Sequence, residues 1–154
     1  MATIEEKKRN RLRLNNYILA ALAEGLWGLM GEAAVGLTTK FGEMILKVME
    51  KEMGLELAGE SVEDWSAEIG RLLIDEFDTG KELYLEDTGD TITVHAGGCM
   101  FQRACSSLQD DGIPPYICPV RAICTAALRR TGEKVRLGEV KIVGDQCTAV
   151  AERF

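Results

Sequence analysis

The feature that most constrains the fold is a change in the spacing of apolar residues near Gly80. Before this point, apolar residues recur every three or four positions, a pattern that predicts amphipathic helices. After it they alternate with polar residues, first at Leu83 and Leu85 and then at Ile92 and Val94, which predicts half-buried strands. A chain with helices first and paired strands afterwards is expected to form an α+β fold, with the helices packed on an antiparallel sheet.

The helical half carries signals for three helices. We predict them over residues 4–25, 27–53 and 62–78. Thr3 and Glu6 have the spacing of a capping box, in which each side chain accepts a hydrogen bond from a free backbone N–H group. Ser61 and Asp64 give a similar start to the third helix, and Gly54 ends the second in the position that favours a left-handed residue.

The second half carries turn residues between short elements. We predict a hairpin around Asp87–Asp90, a loop over 97–118 that includes a short helix Phe101–Leu108, a helix Pro119–Arg130, a strand Val135–Ile142 and a strand Cys147–Arg153. Pro119 suits the first position of a helix because its missing N–H has no partner there. The predicted order is therefore ααα-ββ-α-ββ around four strands. We interpret residues 1–154 as one domain, with a helical part over 1–78 and a mixed part over 79–154.

The charge balance argues against nucleic acid as a partner. Eighteen basic and 25 acidic residues leave a net charge of −7, which disfavours binding to a phosphate backbone. The basic segment 7–13 is short and follows Glu5 and Glu6, so we interpret it as a helix terminus rather than a nucleic-acid arm.

The most apolar stretch, residues 17–37, is long enough to cross a membrane. It contains Glu24 and Glu32, whose charges oppose insertion, so we predict no membrane span. The glycines at 28, 31, 36 and 42 each cost a helix about 1 kcal/mol relative to alanine, which favours close helix packing over a cavity wall. We therefore predict a homodimer packed through the long helices. No secretory signal pattern is present, and we predict a cytoplasmic location.

The order of elements resembles the 4-vinyl reductase domain family, whose fold is shared with subunits of the TRAPP vesicle-tethering complexes. The residues that carry the resemblance are Cys118-Pro119, Gly132, Glu139 and Gly144-Asp145-Gln146-Cys147. The resemblance implies a module that binds a small hydrophobic, hydrocarbon-like or aromatic molecule between its helices and sheet. It also implies a cysteine-rich metal site that includes Cys147. On this basis the ligand site would contain Trp27, Phe41, Met44, Cys118 and Ala122, although aromatic and methionine residues at such spacing belong to the core in most proteins.

Five cysteines all lie in the last 56 residues, at positions 99, 105, 118, 124 and 147. The odd count, without a secretory signal, favours a reducing compartment over a disulfide framework. Cys124 falls on the apolar face of its helix and is expected in the core. Cys99, Cys105, Cys118 and Cys147 lie in loops or turns, where they could converge on zinc or an iron–sulfur cluster. Redox-active thiols and inert thiols are the alternatives.

His95, the only histidine, ends the second predicted strand. It is either a polar residue at a strand end or the base of a thiol nucleophile. The second function that we consider is therefore a metal–sulfur or thiol-dependent, hydrolase-like enzyme that uses Cys99, Cys105, Cys118 and His95. No nucleotide-binding fingerprint or serine-hydrolase elbow is present.

Overall fold

A computed structural model describes residues 1–154 and confirms the α+β class. The helices are α1 (Ile4–Met30), α2 (Leu37–Met53), α3 (Val62–Gly70), α4 (Gln102–Asp110) and α5 (Pro119–Arg130). The strands are β1 (Glu82–Asp87), β2 (Thr91–Gly97), β3 (Val135–Val143) and β4 (Gln146–Arg153). They form one antiparallel sheet in the order β1-β2-β4-β3.

The predicted ends of the helices are confirmed where a side chain or a glycine defines them. The capping box at Thr3 has the Thr3 backbone N–H donating to Glu6 Oε2 at 2.7 Å. Ser61 and Asp64 form the second box. Gly54 adopts φ +63° and ends α2, as its position predicts.

The boundary between the first two helices was predicted wrongly. α1 continues through Gly25 and Gly28 to Met30, a short 3₁₀ segment covers Gly31–Gly36, and α2 begins only at Leu37. A glycine weakens a helix without breaking it, so the helix ends only where the backbone of Gly31 turns to φ +57°. α3 is likewise shorter than predicted, because the backbone widens to a π-helical turn over Arg71–Glu76.

Close packing explains only one of the four glycines in the predicted second helix. A Cβ atom at Gly42 would overlap the backbone carbonyl of Ala122, so α2 and α5 approach each other closely at this point. Gly28, Gly31 and Gly36 have open space around them. Within one chain, no other element packs closely against these three glycines.

The main core lies between the inner face of the sheet and the layer formed by α2, α3 and α5. Strand residues alternate between faces, and Ile92, Val94 and Ala96 of β2 point inward with Ala149 and Ala151 of β4. α5 is the central helix, since every residue from Val120 to Leu128 is buried.

A second, smaller core cluster joins α1 to the segment before α5. Tyr116 is fully buried there and its hydroxyl donates to the carbonyl of Ala23 at 2.7 Å. Asn16 and Ala23 are the only buried residues of α1. This long helix is therefore attached to the rest of the fold along a narrow strip.

Much of the remaining surface of α1 is apolar and exposed. Its exposed large apolar residues are Leu12, Leu14, Tyr17, Ile18, Leu22, Leu29 and Met30. The helical stretch Ile4–Met53 is long and apolar enough to cross a membrane by length and composition, with a mean hydropathy of 1.4 in its best window and 11% of that window buried. Helices in the cores of soluble proteins and signal sequences meet the same criterion.

Candidate functional site

Four of the five cysteines line one enclosed cavity of about 30 Å³ under the inner face of the sheet. They are Cys99, Cys105, Cys118 and Cys147, the set that the sequence predicts to converge. Each comes from a different place in the fold, and all five cysteines of the chain are free thiols. The cavity wall is completed by apolar residues of β2 and by Arg121.

Cys99 lies in the tight loop that follows β2, and backbone hydrogen bonds hold this loop on two sides. Gly98 adopts φ +60°, a conformation that favours glycine, and its N–H donates to the carbonyl of Asp145 at 2.8 Å. The N–H of Met100 donates to the carbonyl of Thr79 at 2.7 Å. The loop is therefore tied to the β3–β4 turn and to the end of the helical half.

Of the other three cysteines, two sit on regular elements and one immediately precedes a helix. Cys147 of β4 is paired with Ala96 of β2 and so shares its inward-facing side. Cys105 is buried on α4. Cys118 is the residue immediately before α5, with extended backbone at ψ 117°. The start of a helix exposes unpaired N–H groups and the positive end of its dipole, and both favour a thiolate.

The surroundings divide the four thiols into one that ionises readily and three that do not. The pKa of Cys118 is lowered to about 7, mainly by hydrogen bonding from the Cys105 thiol, against the effect of burial, and further by the N–H groups at the start of α5 and the charge of Arg121. The pKa of Cys105 is strongly raised because its thiol supplies that hydrogen bond. Burial, the largest cause, raises the pKa of Cys99 to about 12 and that of Cys147 to about 11.

Arg121 is a buried cation without a carboxylate partner. Only 6% of its surface is exposed, its Nη2 donates to the carbonyl of Gly138 at 2.7 Å, and its Nε has no hydrogen-bond partner. A buried charge normally has a counter-ion. Burial lowers the pKa of Arg121. The negative charge that the thiols of Cys118, Cys105 and Cys147 carry when ionised acts in the opposite direction and raises it.

The sequence analysis did not select Arg121. Its neighbours along α5 are apolar, and a basic residue in such a run suggests a solvent-facing position. The sequence pattern that could have identified Arg121 is its spacing from Cys118. Arg121 follows Cys118 by three residues, and side chains three apart lie on the same face of a helix.

The thiols suit a metal in kind and number, but they do not form a finished coordination sphere. An all-sulfur set favours a soft ion such as zinc or iron. No three His, Cys, Asp or Glu side chains are arranged as a group that could hold a metal ion. Four sulfurs must come within about 2.3 Å of a bound zinc, so binding would require the cysteine side chains to rotate inward.

Cys124 is fully buried in the main core and does not line the cavity, as its position on the apolar face of α5 predicts. His95, in contrast, is not brought to the thiols. It lies opposite Thr148 and next to Ala96 in sequence, so it points to the outer face of the sheet while the cysteines lie on the inner side. There its Nε2 lies 2.8 Å from Glu86 Oε2 and its ring stacks on Tyr84. The Cys–His pair considered from the sequence is therefore not formed.

The residues predicted to bind an apolar ligand are distributed over different parts of the molecule. Trp27 and Phe41 pack against the smaller core cluster, and Met44 is exposed. Ala122 is fully buried where α5 meets α2. Of this set only Cys118 lines the thiol cavity.

A family model described as "Putative rubredoxin C-terminal domain" matches residues 15–147. The chain belongs to this family. The match runs from the middle of α1 to the first residues of β4, and therefore includes all four cavity cysteines. The family shown is not the 4-vinyl reductase family, and the match gives that resemblance no support beyond a small α+β domain. No curated protein matches the chain.

Proposed function

We propose that this rubredoxin C-terminal domain binds one soft metal ion through Cys99, Cys105, Cys118 and Cys147. The observation that carries the proposal is that four thiols, from a loop, two helices and a strand, line one small cavity beside a buried arginine without a counter-ion. The family description supports it, since it contains the name rubredoxin, which suggests iron or another metal.

The size of the cavity favours a single ion over a cluster. A cavity of about 30 Å³ has room for only one or two water molecules, whereas a cluster of several iron and sulfide ions would have to push the walls apart. Four thiolates and one divalent ion carry a net charge of −2. The Arg121 guanidinium and the N-terminus of α5 would offset part of this charge, which would supply the partner that Arg121 lacks.

The identity of the ion determines what the site can do. Zinc has no redox chemistry and would add stability to the fold. Iron held by thiolates can exchange one electron, at a potential that depends on charge, burial and nearby hydrogen-bond donors. The odd number of cysteines favours a reducing compartment over a disulfide framework, and we therefore propose a cytoplasmic location.

The test is the metal content and absorption spectrum of the full chain purified without oxygen. We expect about one metal ion per chain. Replacement of each of Cys99, Cys105, Cys118 and Cys147 by alanine should lower that content. Iron would give a coloured protein, and zinc a colourless one.

The matched control is Cys124→Ala, which removes a thiol from the same helix but outside the cavity. Its metal content should equal that of the wild type. A wild type without metal, or equal content in all five variants, contradicts the proposal. A content of two or more iron ions with acid-labile sulfide would replace the single ion by a cluster.

A second interpretation, taken from the sequence, is binding of an apolar molecule between the helices and the sheet. The thiol cavity is far smaller than the roughly 300–1,000 Å³ of typical ligand sites, so such a ligand would have to open the core. The test is a thermal shift with fatty acids, phenols and tetrapyrroles on metal-free protein. An increase in melting temperature that is lost in Ala122→Phe would favour this interpretation over the metal.

A further inference from the structure

A cleft of about 570 Å³ lies between α1 and the loop that leads from β2 into α4. It is distinct from the thiol cavity, although Cys99 and Gln102 contribute to both. Its volume falls within the range of about 300–1,000 Å³ that is typical of sites for small molecules.

The cleft concentrates positive charge in an acidic protein. Three arginines, Arg9, Arg13 and Arg103, line it, and no aspartate or glutamate does. The chain as a whole carries a net charge of −7. A wall of three guanidinium groups therefore produces a local field opposite in sign to that of the whole molecule.

None of these three arginines is engaged in an ion pair. Four other arginines pair with carboxylates, at Arg71, Arg130, Arg136 and Arg153, whereas no salt bridge in the structure includes Arg9, Arg13 or Arg103. Glu5 and Asp78 line a neighbouring groove with Arg9, but neither forms a salt bridge with it, and the carboxylate of Glu6 is held by Thr3 in the capping box. The guanidinium groups are thus available to an anion from solution.

The floor of the cleft is fixed rather than mobile. Asn16 is 3% exposed, and its Nδ2 donates to the carbonyl of Met100 at 2.8 Å while its Oδ1 accepts from the N–H of Ala104 at 3.0 Å. These bonds set α1 against the start of α4, so they hold Arg13 of one element opposite Arg103 of the other. Leu12 and Met100 add apolar surface beside the arginines.

We propose that this cleft binds a small organic anion, with its carboxylate or phosphate group held by Arg9, Arg13 and Arg103 and its body against Leu12 and Met100. Guanidinium groups form paired, charge-assisted hydrogen bonds with both kinds of anion. A small molecule suits the concave shape and limited volume, while the overall acidity of the chain opposes a long polyanion. The argument for this site does not rest on the proposed metal site, although Cys99 and Gln102 line both.

The test is calorimetric titration of the full, folded chain with pyrophosphate and with citrate. We expect saturable binding of one molecule per chain to at least one probe. Binding of pyrophosphate alone would identify a phosphate-bearing ligand, and binding of citrate alone a carboxylate-bearing ligand. Arg13→Gln and Arg103→Gln should each weaken binding by at least about tenfold, the loss expected for a charge-assisted hydrogen bond.

The matched control is Arg11→Gln, which removes an exposed arginine from the same helix but outside the cleft. It should leave the dissociation constant within about twofold. An equal loss in Arg11→Gln would show a general charge effect and overturn the proposal. No saturable binding of either probe, or tight binding only of an oligonucleotide, would overturn it as well. Because the arginines are exposed, circular dichroism should show all three variants folded.

Discussion

The attachment of the first half of α1 to the rest of the fold is predicted to depend on one buried amide. Asn16 bonds to Leu12 O at 3.0 Å within its helix and makes two long-range bonds, to Met100 O at 2.8 Å and from Ala104 N at 3.0 Å. Asn16→Ala removes both long-range bonds. It also leaves a buried N–H at Ala104 and a carbonyl at Met100 without their partner.

The expected loss can be worked out from these two groups. A hydrogen bond contributes about 0.5–1.5 kcal/mol, and a buried group left unpaired costs about 1–3 kcal/mol. Met100 lines the cleft, so water can reach its carbonyl, but Ala104 is buried. The free energy of unfolding should therefore fall by about 2–3 kcal/mol, which lowers the melting temperature by about 4–12 °C for a chain of this size.

The measurement is urea unfolding of the wild type and of Asn16→Ala, followed by circular dichroism. Asn16→Asp is the matched comparison, because it keeps the acceptor for Ala104 N–H but removes the donor to Leu12 O and Met100 O. It also places a buried carboxylate against these two carbonyls, so its loss at pH 7 should be at least as large as that of Asn16→Ala. A decrease below about 0.5 kcal/mol in Asn16→Ala, with an unchanged denaturant slope, would refute the role assigned to Asn16.

Three further predictions concern charge, assembly and packing. Arg153 bonds lower the pKa of Asp87 to about 2, below the value near 3.9 of an unfolded chain, so this pair stabilises the fold above about pH 4 and its contribution is lost as the pH falls towards 2. Because solvent screens this pair, Asp87→Asn should lower the free energy of unfolding by only about 1 kcal/mol at pH 7. In urea titrations the variant should also lose less stability than the wild type between pH 4 and 2, and an unchanged pH profile would contradict this. We also propose a homodimer that packs through the exposed long helices. Gly36→Leu fits the single chain, because Gly36 has open space around it, and it should reduce the mass measured by light scattering to that of one chain. An unchanged mass would contradict the proposed dimer. Gly42→Ala should lower the free energy of unfolding by about 1–3 kcal/mol, because its Cβ would overlap the backbone of α5; Gly28→Ala, in open space, should not lower it, and equal effects in thermal unfolding would count against this packing.

Much of the fold could be predicted because its signals are local. Capping boxes, alternating apolar residues and turn glycines act within a few residues, so the starts of α1 and α3 and the β1–β2 hairpin were found correctly. Gly138 interrupts the alternation of apolar residues between Leu137 and Val140, and the strand register is irregular at that point. The end of α1 was missed because a glycine ends a helix only when its backbone leaves the helical region, and the sequence does not show which glycine does so.

The site was predicted less completely, for reasons that lie in the tertiary structure. Loop cysteines are poorly explained as core residues, and this identified the four that line the cavity. The position of His95 could also have been read from the sequence. Ile92, Val94 and Ala96 are buried at alternate positions of β2, so His95, which lies between two of them, points to the other face. Arg13 and Arg103 are 90 positions apart, and only the contact between α1 and α4 makes them neighbours.

The loop from Gly98 to Gln102 connects the two proposed sites physically. Cys99 lines both the thiol cavity and the cleft, and its neighbour Met100 is bonded to Thr79 on one side and to Asn16 on the other. Moving this loop would change the position of a thiol and the shape of the cleft together. A ligand bound at one site therefore contacts residues that also line the other. If binding at one site changes the affinity of the other, thermodynamic linkage requires the reverse effect to be equal. The bonds of Asn16 hold this shared wall in place, so a single amide supports the geometry on which both proposals depend.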